Sequence, residues 1–286
     1  MGKSRGNNRG MNMKWGIKTL YYGKIECPLR ALFPSFFQYP KFDVEKIDIP
    51  YLGFLITGKK NILVDTGISE SFIVNGKAWG GLPAEGGRSF VKKALENNNL
   101  KPADIDIVVY THLHNDHAGN CDLFEKSEHI VQKNEWSELL DPHPASKVRK
   151  EYDPNIIPKL RELNLIKVNG DIEIENGIKL YTSPGHTMGS QAVGISTDIG
   201  NFILCGDTFN LYCNIFPHLN TIVDMNGNEH KITPPPIHYG SVIPSSLIYD
   251  YYDWYDSAYK LKILGSNSIE FMIPGHEPSI VGKKFP

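Results

Sequence analysis

Short apolar runs separated by glycine-bounded turns dominate the first half of the chain and predict buried strands. The runs at 51–58, 61–67 and 105–110 are rich in β-branched and aromatic residues, which is typical of strands. Between the second and third runs, the segment 87–98 places apolar residues at helical spacing with polar residues between them, and it predicts an amphipathic helix. Strands and helices therefore alternate in this half of the chain.

The second batch of strand signals includes two predicted hairpins. The Asn-Gly pairs at 176–177 and 226–227 each lie between runs of alternating apolar and polar residues, and Asn-Gly is the pair that a tight hairpin turn favours. Other apolar runs predict strands at 129–132, 201–207 and 269–276. The strands thus come in two batches with helices interspersed.

Two more segments predict helices. Residues 134–140 form a short helical run with Asn134 as its N-cap. The segment 245–265 carries an apolar stripe at spacings of four and three residues and ends at Gly265, a typical C-terminal glycine. The members of that stripe are Leu247, Tyr251, Trp254, Ala258 and Leu261. Such a stripe predicts packing against the core rather than a ligand-binding surface.

The composition is that of a soluble globular protein. The chain has 286 residues, of which 41% are hydrophobic and 22% charged, with a net charge of −2. This balance gives no reason to expect nucleic acid or an anionic membrane as a partner, and no apolar run approaches the ~20 residues that span a bilayer. The four cysteines form no CxxC pair, which favours reduced thiols and a cytoplasmic location.

The domain organisation predicted from these patterns is simple. Residues 1–14 are basic and rich in Gly and Asn, and we expect a flexible tail. No linker or composition break separates the two batches of strands, so residues 15–286 are predicted to form one domain, a sandwich of two sheets with helices outside. A long inserted loop around 210–245 and the aromatic segment 32–40 are candidates to wall an apolar pocket.

Four predicted strands end in loops that carry metal-binding residue types, at 111–117, 183–189, 205–209 and 274–278. Together these loops supply five imidazoles and two carboxylates, namely His112, His114, Asp116, His117, His186, Asp207 and His276. A set with no thiolate suits zinc and also iron, manganese or cobalt. Seven ligands are too many for one tetrahedral ion, but they fit two ions that share a carboxylate.

The spacing inside the first loop is consistent with two ions. On an extended segment His112 and His114 point to the same side, because side chains alternate with period two. Asp116 and His117 are adjacent and diverge, so they can serve a second ion if the chain turns into a helix there.

These motifs carry a family resemblance. The HxHxDH loop, the "GHT" histidine, the later aspartate and the terminal "GH" histidine occur in the order typical of the metallo-β-lactamase fold superfamily, which the chain resembles from about residue 50 to 280. The resemblance implies an α/β fold, a four-layer αββα sandwich with the site at one edge of the two sheets. It also implies that Asp65 in "VDTG" orients a ligand histidine through a hydrogen bond.

The resemblance further implies a division of the ligands between two ions. His112, His114 and His186 are expected to bind one ion, Asp116, His117 and His276 the other, and Asp207 both. Zinc is the expected metal.

Within the superfamily, "THLHNDHAGN" and "SPGHTMGSQ" look like N-acyl-homoserine lactonases and are also similar to glyoxalase II-type thioesterases. The thioesterases usually add a C-terminal helical region, whereas this sequence ends soon after His276, which favours the lactonases. A mononuclear iron dioxygenase of the persulfide type stays open as a second alternative. Many related lactonases have a tyrosine where Asn210 stands, and Tyr212 is a candidate to replace it.

The expected activity is therefore a dinuclear metal-dependent hydrolase that opens a lactone or related ester with a metal-bridging hydroxide, as in quorum quenching. Asp116 is expected to pass a proton to the leaving alkoxide, and Asn210 and Tyr212 are the other candidate catalytic residues. The expected partner is a small-molecule ester or lactone, with a homodimer left open as the assembly.

Overall fold

The computed structural model describes residues 15–33 and 41–286. The predicted tail at 1–14 and residues 34–40 of the predicted aromatic segment lie outside the described residues. The division into one domain with an inserted loop stays a prediction.

The described strands are, in chain order, β1 (Gly16–Pro28), β2 (Lys41–Phe42), β3 (Lys46–Thr57), β4 (Asn61–Val64), β5 (Lys77–Ala78), β6 (Leu82–Gly86), β7 (Ile107–Val109), β8 (Glu128–Gln132), β9 (Asn164–Val168), β10 (Ile172–Glu175), β11 (Ile178–Thr182), β12 (Gln191–Thr197), β13 (Gly200–Leu204), β14 (Thr221–Val223), β15 (Glu229–Thr233), β16 (Met272–Ile273) and β17 (Lys284–Phe285). The described α-helices are α1 (Arg88–Glu96), α2 (Asn115–Ala118), α3 (Lys133–Leu140), α4 (Pro144–Arg149), α5 (Ile156–Glu162), α6 (Tyr212–Ile215) and α7 (Tyr251–Leu264).

The strands form two large sheets and one small sheet. The first has the order β5-β6-β1-β3-β4-β7-β8-β9, with β17 also paired to β1, and the second has the order β10-β11-β12-β13-β16. The consecutive pairs β4-β7, β7-β8 and β8-β9 are parallel, as is the pair β13-β16. Parallel strands share the edge at which their carboxyl ends lie, and loops that leave this edge can converge. The small sheet, β14-β15-β2, includes the predicted hairpin around 226–227.

Alternation along each strand divides the apolar side chains among three clusters. From β3, Leu52, Phe54 and Ile56 face the second sheet, and they meet residues of β11, β12 and β13 such as Val193 and Leu204. The other face of the first sheet packs against α1, α3 and α5. The outer face of the second sheet packs against α7. The layers are therefore helix, sheet, sheet and helix, which confirms the predicted αββα sandwich.

Most predicted elements are present, but the strand predicted at 269–276 spans only Met272–Ile273, and the starts of two helices differ from the prediction. Helix α3 begins at Lys133 with Gln132 at its N-cap, so Asn134 is not the cap. The helix predicted from 245 begins at Tyr251, because the Asp250 carboxylate accepts hydrogen bonds from the backbone N–H groups of Tyr252 and Asp253 and so caps the helix there. Leu247 consequently lies before the helix rather than on its buried stripe.

Within the described ranges, none of the helices combines the length and the hydropathy required to cross a bilayer.

Candidate metal centre

The predicted ligand loops meet at the edge where the two sheets present their strand ends. The chain leaves β7 in an extended stretch that carries His112 and His114, and it then turns into the single-turn helix α2 with Asp116 and His117. His186 follows β11, Asp207 lies in a 3-10 turn after β13, and His276 follows β16. The first sheet thus supplies four of the seven candidate ligands and the second sheet supplies three.

The donor atoms of these side chains fall into overlapping groups of three. Within each group the atoms lie within 4.8 Å of one another, and the groups are His112, His114 and His186; His112, His117 and Asp207; and Asp116, His117 and His276. We call the first group the histidine trio and the last group the aspartate trio. Every member of both trios is at least nine-tenths buried.

Asp207 lies between the two trios. Its Oδ2 atom is 3.6 Å from His186 Nε2 on the side of the histidine trio. Its Oδ1 atom is 3.4 Å from His117 Nε2 and 3.1 Å from His276 Nε2 on the side of the aspartate trio. The two oxygens of the carboxylate therefore reach both trios, and its expected role as a ligand shared by two ions stays a prediction.

The outward-facing nitrogens of the imidazoles are held by the protein. His186 donates its Nδ1–H to the Leu247 carbonyl at 2.7 Å. His276 donates its Nδ1–H to the Pro50 carbonyl at 2.9 Å. His117 donates its Nδ1–H to the Asp65 carboxylate at 2.8 Å. In the neutral imidazole these bonds hold the proton on Nδ1 and leave Nε2 available to a metal, the arrangement that metal-ligating histidines generally show.

Several polar atoms inside the cluster have no hydrogen-bond partner. His112 Nε2, His117 Nε2 and Asp207 Oδ1 are buried and unsatisfied. Buried polar atoms without partners cost free energy, and lone pairs that converge without a donor are what a cation requires. The donor set is nitrogen and oxygen only, because the nearby Cys205 packs in the hydrophobic cluster beneath α7. The residues present therefore fit divalent metal ions.

The electrostatics of the two trios differ. Burial lowers the pKa of His112, His114 and His186 below the usual range, which favours the neutral form of all three members of the histidine trio. Burial also opposes a charge on His117, but Asp116, Asp207 and Asp65 outweigh it and raise the pKa of His117 to about 10. The aspartate trio therefore attracts positive charge even in the metal-free protein, in the form of a proton.

Asp65 is held in an uncommon backbone conformation. Its φ of 62° lies in the left-handed region, which costs free energy for a residue other than glycine. The conformation aims its carboxylate at the first ligand loop, where it accepts from the Thr111 N–H, the Thr111 hydroxyl and His117 Nδ1, each within 2.8 Å. The contact with His117 is a hydrogen bond to one of the candidate ligand histidines, which is the kind of contact that the resemblance implies.

Asn210 and Tyr212 lie in different surroundings. The Asn210 amide donates to Asp207 Oδ2 at 3.1 Å, and its backbone carbonyl accepts from His276 N–H at 3.0 Å, so Asn210 is part of the site. The Tyr212 ring packs against two hydrophobic clusters. Those contacts are typical of a packing residue and do not favour Tyr212 as a replacement for the missing tyrosine.

Sequence reasoning missed Glu135 in α3. Its carboxylate is fully buried and accepts hydrogen bonds next to the histidine trio. No motif marks it, since an acidic residue in the first turn of an amphipathic helix is ordinary in sequence. Gly275 was not singled out either, although a Cβ there would lie 2.7 Å from Asp207 Oδ1. Only glycine allows the His276 loop to approach Asp207 this closely.

Comparisons with known proteins agree with this geometry. The model of the metallo-beta-lactamase superfamily matches residues 50–276. An N-acyl homoserine lactonase from Bacillus cereus is 32% identical over 168 residues, which is 55% of this chain and 63% of that protein. A probable metallo-hydrolase from Methanocaldococcus jannaschii is 28% identical over 56% of this chain and 67% of its own. The match thus spans less than two thirds of the length of the curated lactonase.

Solved structures extend the likeness in fold to nearly the whole chain. An N-acyl homoserine lactone hydrolase with N-hexanoyl-L-homoserine bound at its catalytic metal centre aligns with a TM-score of 0.70 at 23% identity, covering 93% of this chain and 94% of that one. A dizinc quorum-quenching lactonase aligns with a TM-score of 0.57 at 21% identity, covering 81% and 74%. Because the family model covers most of the chain, and the fold and the clustered ligand residues agree with it, the chain belongs to the metallo-beta-lactamase superfamily.

Proposed function

We propose that the protein is a dinuclear metal-dependent hydrolase that opens a lactone or a related ester. The observation that carries the proposal is the position of Asp207 between two complete trios of buried nitrogen and oxygen donors. A structural metal site needs only four closed ligands, so seven converging donors support a reactive pair of ions. The curated lactonase relatives support the lactone as substrate.

Each trio would bind one of the two ions. The histidine trio would hold one ion, the aspartate trio the other, and Asp207 both. When bound, such a pair activates a water molecule at neutral pH and polarises the carbonyl oxygen of an ester. Zinc is our first choice because the set is rich in imidazole, with iron, manganese and cobalt as alternatives.

Asp116 and Asn210 have separate roles in the proposed reaction, one in proton transfer and one in orienting a ligand. Asp116 would bind its ion through one carboxylate oxygen, which leaves the second oxygen able to accept and release a proton. We assign to Asp116 the transfer of a proton to the leaving alkoxide, because an alkoxide is a poor leaving group without one. Asn210 holds the Asp207 carboxylate through Oδ2 and so orients it; it acts as a positioning residue.

Substrate reaches the centre past half-exposed side chains in our proposal. A void of about 10 Å³ lies beside His114 and His186 and is also lined by Arg149, Met188 and Tyr249. It has room for a single water molecule. Met188 and Tyr249 are 48% and 39% exposed, and we assign them to the entrance through which substrate approaches.

The test combines metal content with a substrate panel. Purified protein loaded with zinc, iron, manganese or cobalt is assayed with lactones, thioesters and phosphoesters, and metal-stripped protein is the control. We expect two ions per chain and the highest kcat/KM with a lactone. Faster turnover of thioesters than of every lactone would favour a glyoxalase II-like thioesterase, and one iron per chain would favour a persulfide dioxygenase-like enzyme. Full turnover by stripped protein would refute a metal-dependent reaction.

A further inference from the structure

Glu135 is a buried carboxylate outside the candidate ligand set. It lies in the first turn of α3 and is fully inaccessible to solvent. Burial raises the pKa of Glu135, and the hydrogen bonds from Thr187, Leu113 and Tyr152 act in the opposite direction. A carboxylate in such a position is tolerated only when several donors satisfy it, so the identity of those donors is informative.

All three donors are neighbours of the histidine trio. Glu135 Oε1 accepts from the backbone N–H of Leu113 at 2.8 Å, and Leu113 is the residue between His112 and His114. Oε2 accepts from the hydroxyl of Thr187 at 2.6 Å, and Thr187 follows His186 directly. One carboxylate therefore ties together the two loops that supply this trio.

The third donor reaches the same trio through a ring contact. The Tyr152 hydroxyl donates to Glu135 Oε1 at 3.0 Å. The ring of Tyr152 in turn meets the ring of His114 edge-on, with the centroids 4.8 Å apart. Glu135 thus fixes the tyrosine that packs on one of the three imidazoles.

The aspartate trio has separate supports. His117 is held by Asp65 and His276 by the Pro50 carbonyl, and neither bond involves α3. The 183–190 loop also contacts α3 through backbone atoms, and this contact does not need the Glu135 side chain. The Gly189 backbone lies so close to Glu135 that a Cβ on Gly189 would be 2.1 Å from the Glu135 backbone nitrogen. Removing the carboxylate therefore leaves the packing of the loop on the helix in place.

We infer that Glu135 is a positioning residue that sets the geometry of the histidine trio alone, and hence the affinity for one of the two ions. The inference rests on the proposed dinuclear centre. Loss of a buried partner that supports metal ligands typically costs about 10–100-fold in metal affinity. The cost should fall on the ion of the histidine trio and spare the ion of the aspartate trio.

The test isolates each trio in turn. His276→Ala removes a ligand of the aspartate trio and leaves the histidine trio, whereas His186→Ala does the reverse. Glu135→Ala is introduced into both backgrounds, and the zinc affinity of metal-free protein is measured by competition with a chromophoric chelator. We expect a loss of about 10–100-fold in the His276→Ala background and no change in the His186→Ala background. Equal losses in both, or none in either, overturn the inference.

Two further variants control for folding. Glu138→Ala removes another buried carboxylate of α3, one that accepts from the His143 N–H. It should change zinc affinity in neither background. Glu135→Gln keeps an oxygen for the Leu113 and Tyr152 donors and should show a smaller loss confined to the His276→Ala background. If circular dichroism shows that Glu135→Ala is unfolded, the zinc affinities of Glu135→Gln in the two backgrounds test the inference instead. A loss in the His276→Ala background alone supports it, and equal losses or no loss overturn it.

The same experiment separates this inference from the proposed function. Wild-type protein that binds fewer than two zinc ions contradicts the dinuclear centre itself. Wild-type protein that binds two ions, with variants that show no selectivity, contradicts only the role of Glu135.

Discussion

Replacement of Asp65 by Asn should weaken the binding of one of the two ions more than that of the other, without unfolding the protein. Asparagine tolerates the left-handed conformation that Asp65 adopts, so the backbone is not further strained. The substitution removes one carboxylate oxygen and the charge. In the native site Oδ1 accepts from the Thr111 N–H, and Oδ2 accepts from the Thr111 hydroxyl and His117 Nδ1. Whichever way the amide turns, an NH2 group faces at least one of these buried donors.

The magnitude follows from the contact that is lost. A hydrogen bond to a charged group contributes about 1.5–3 kcal/mol. Since about 1.4 kcal/mol corresponds to a factor of ten in binding, loss of the support for His117 predicts about a 10–100-fold weaker ion in the aspartate trio. The ion of the histidine trio should lose less affinity, because Asp65 reaches that trio only indirectly, through the Thr111 hydroxyl that lies 3.1 Å from His112 Nδ1.

Zinc titration of the metal-free variant against a chromophoric chelator measures both affinities. Asp224→Asn is a matched control, because Asp224 also contacts a histidine, His230, and accepts from two backbone N–H groups, but in a surface turn. The control should bind two ions as tightly as the wild type. Wild-type affinities at both sites of Asp65→Asn would refute the assignment of His117 to the second ion and the role of Asp65 in orienting it.

Four other predictions are open to direct measurement. Asp207→Ala should lose metal and hydrolytic activity together, as metal analysis and a lactone assay would show; activity retained without metal contradicts it. The pKa of His117 in the metal-free protein is raised to about 10, so zinc must displace its proton in order to bind. Zinc affinity should therefore rise about tenfold per pH unit, for each displaced proton, as the pH increases towards 10. Calorimetry in buffers of different ionisation enthalpy should detect the released proton. Gly185→Ala should destabilise the fold by more than about 2 kcal/mol in urea unfolding, because its φ is 127° and a Cβ would lie 2.4 Å from the Trp254 backbone. Burial raises the pKa of the Cys121 thiol to about 12, so iodoacetamide should label it at pH 7.5 only after denaturation.

The candidate metal ligands could be predicted because four of them lie close together in the sequence. HxHxDH places four metal-binding side chains within six positions, His112 to His117, and such a cluster is costly unless something binds it. Asp207 and His276 were identified because each follows an apolar run that ends at a loop. The two-sheet sandwich likewise followed from strand signals in two batches.

What the sequence did not reveal depends on tertiary contacts. Strand β1 went unrecognised because a bulge between Tyr21 and Lys24 shifts its register, and this interrupts the period-two alternation that marks a strand. The start of α7 was placed too early because the apolar spacing continues through Leu247, whereas the Asp250 carboxylate caps the helix. Glu135 is ordinary in sequence and acquires its role only when the 183–190 loop packs against α3.

The candidate metal centre is divided between the two large sheets. The strands before residue 169 hold Asp65 and the HxHxDH loop, and the strands after it hold His186, Asp207 and His276. Neither sheet by itself presents a closed set of donors that includes the shared carboxylate. The candidate metal centre is therefore completed only when the two sheets pack together through their common core, so binding of two ions requires the long-range packing of the fold and not any local element alone.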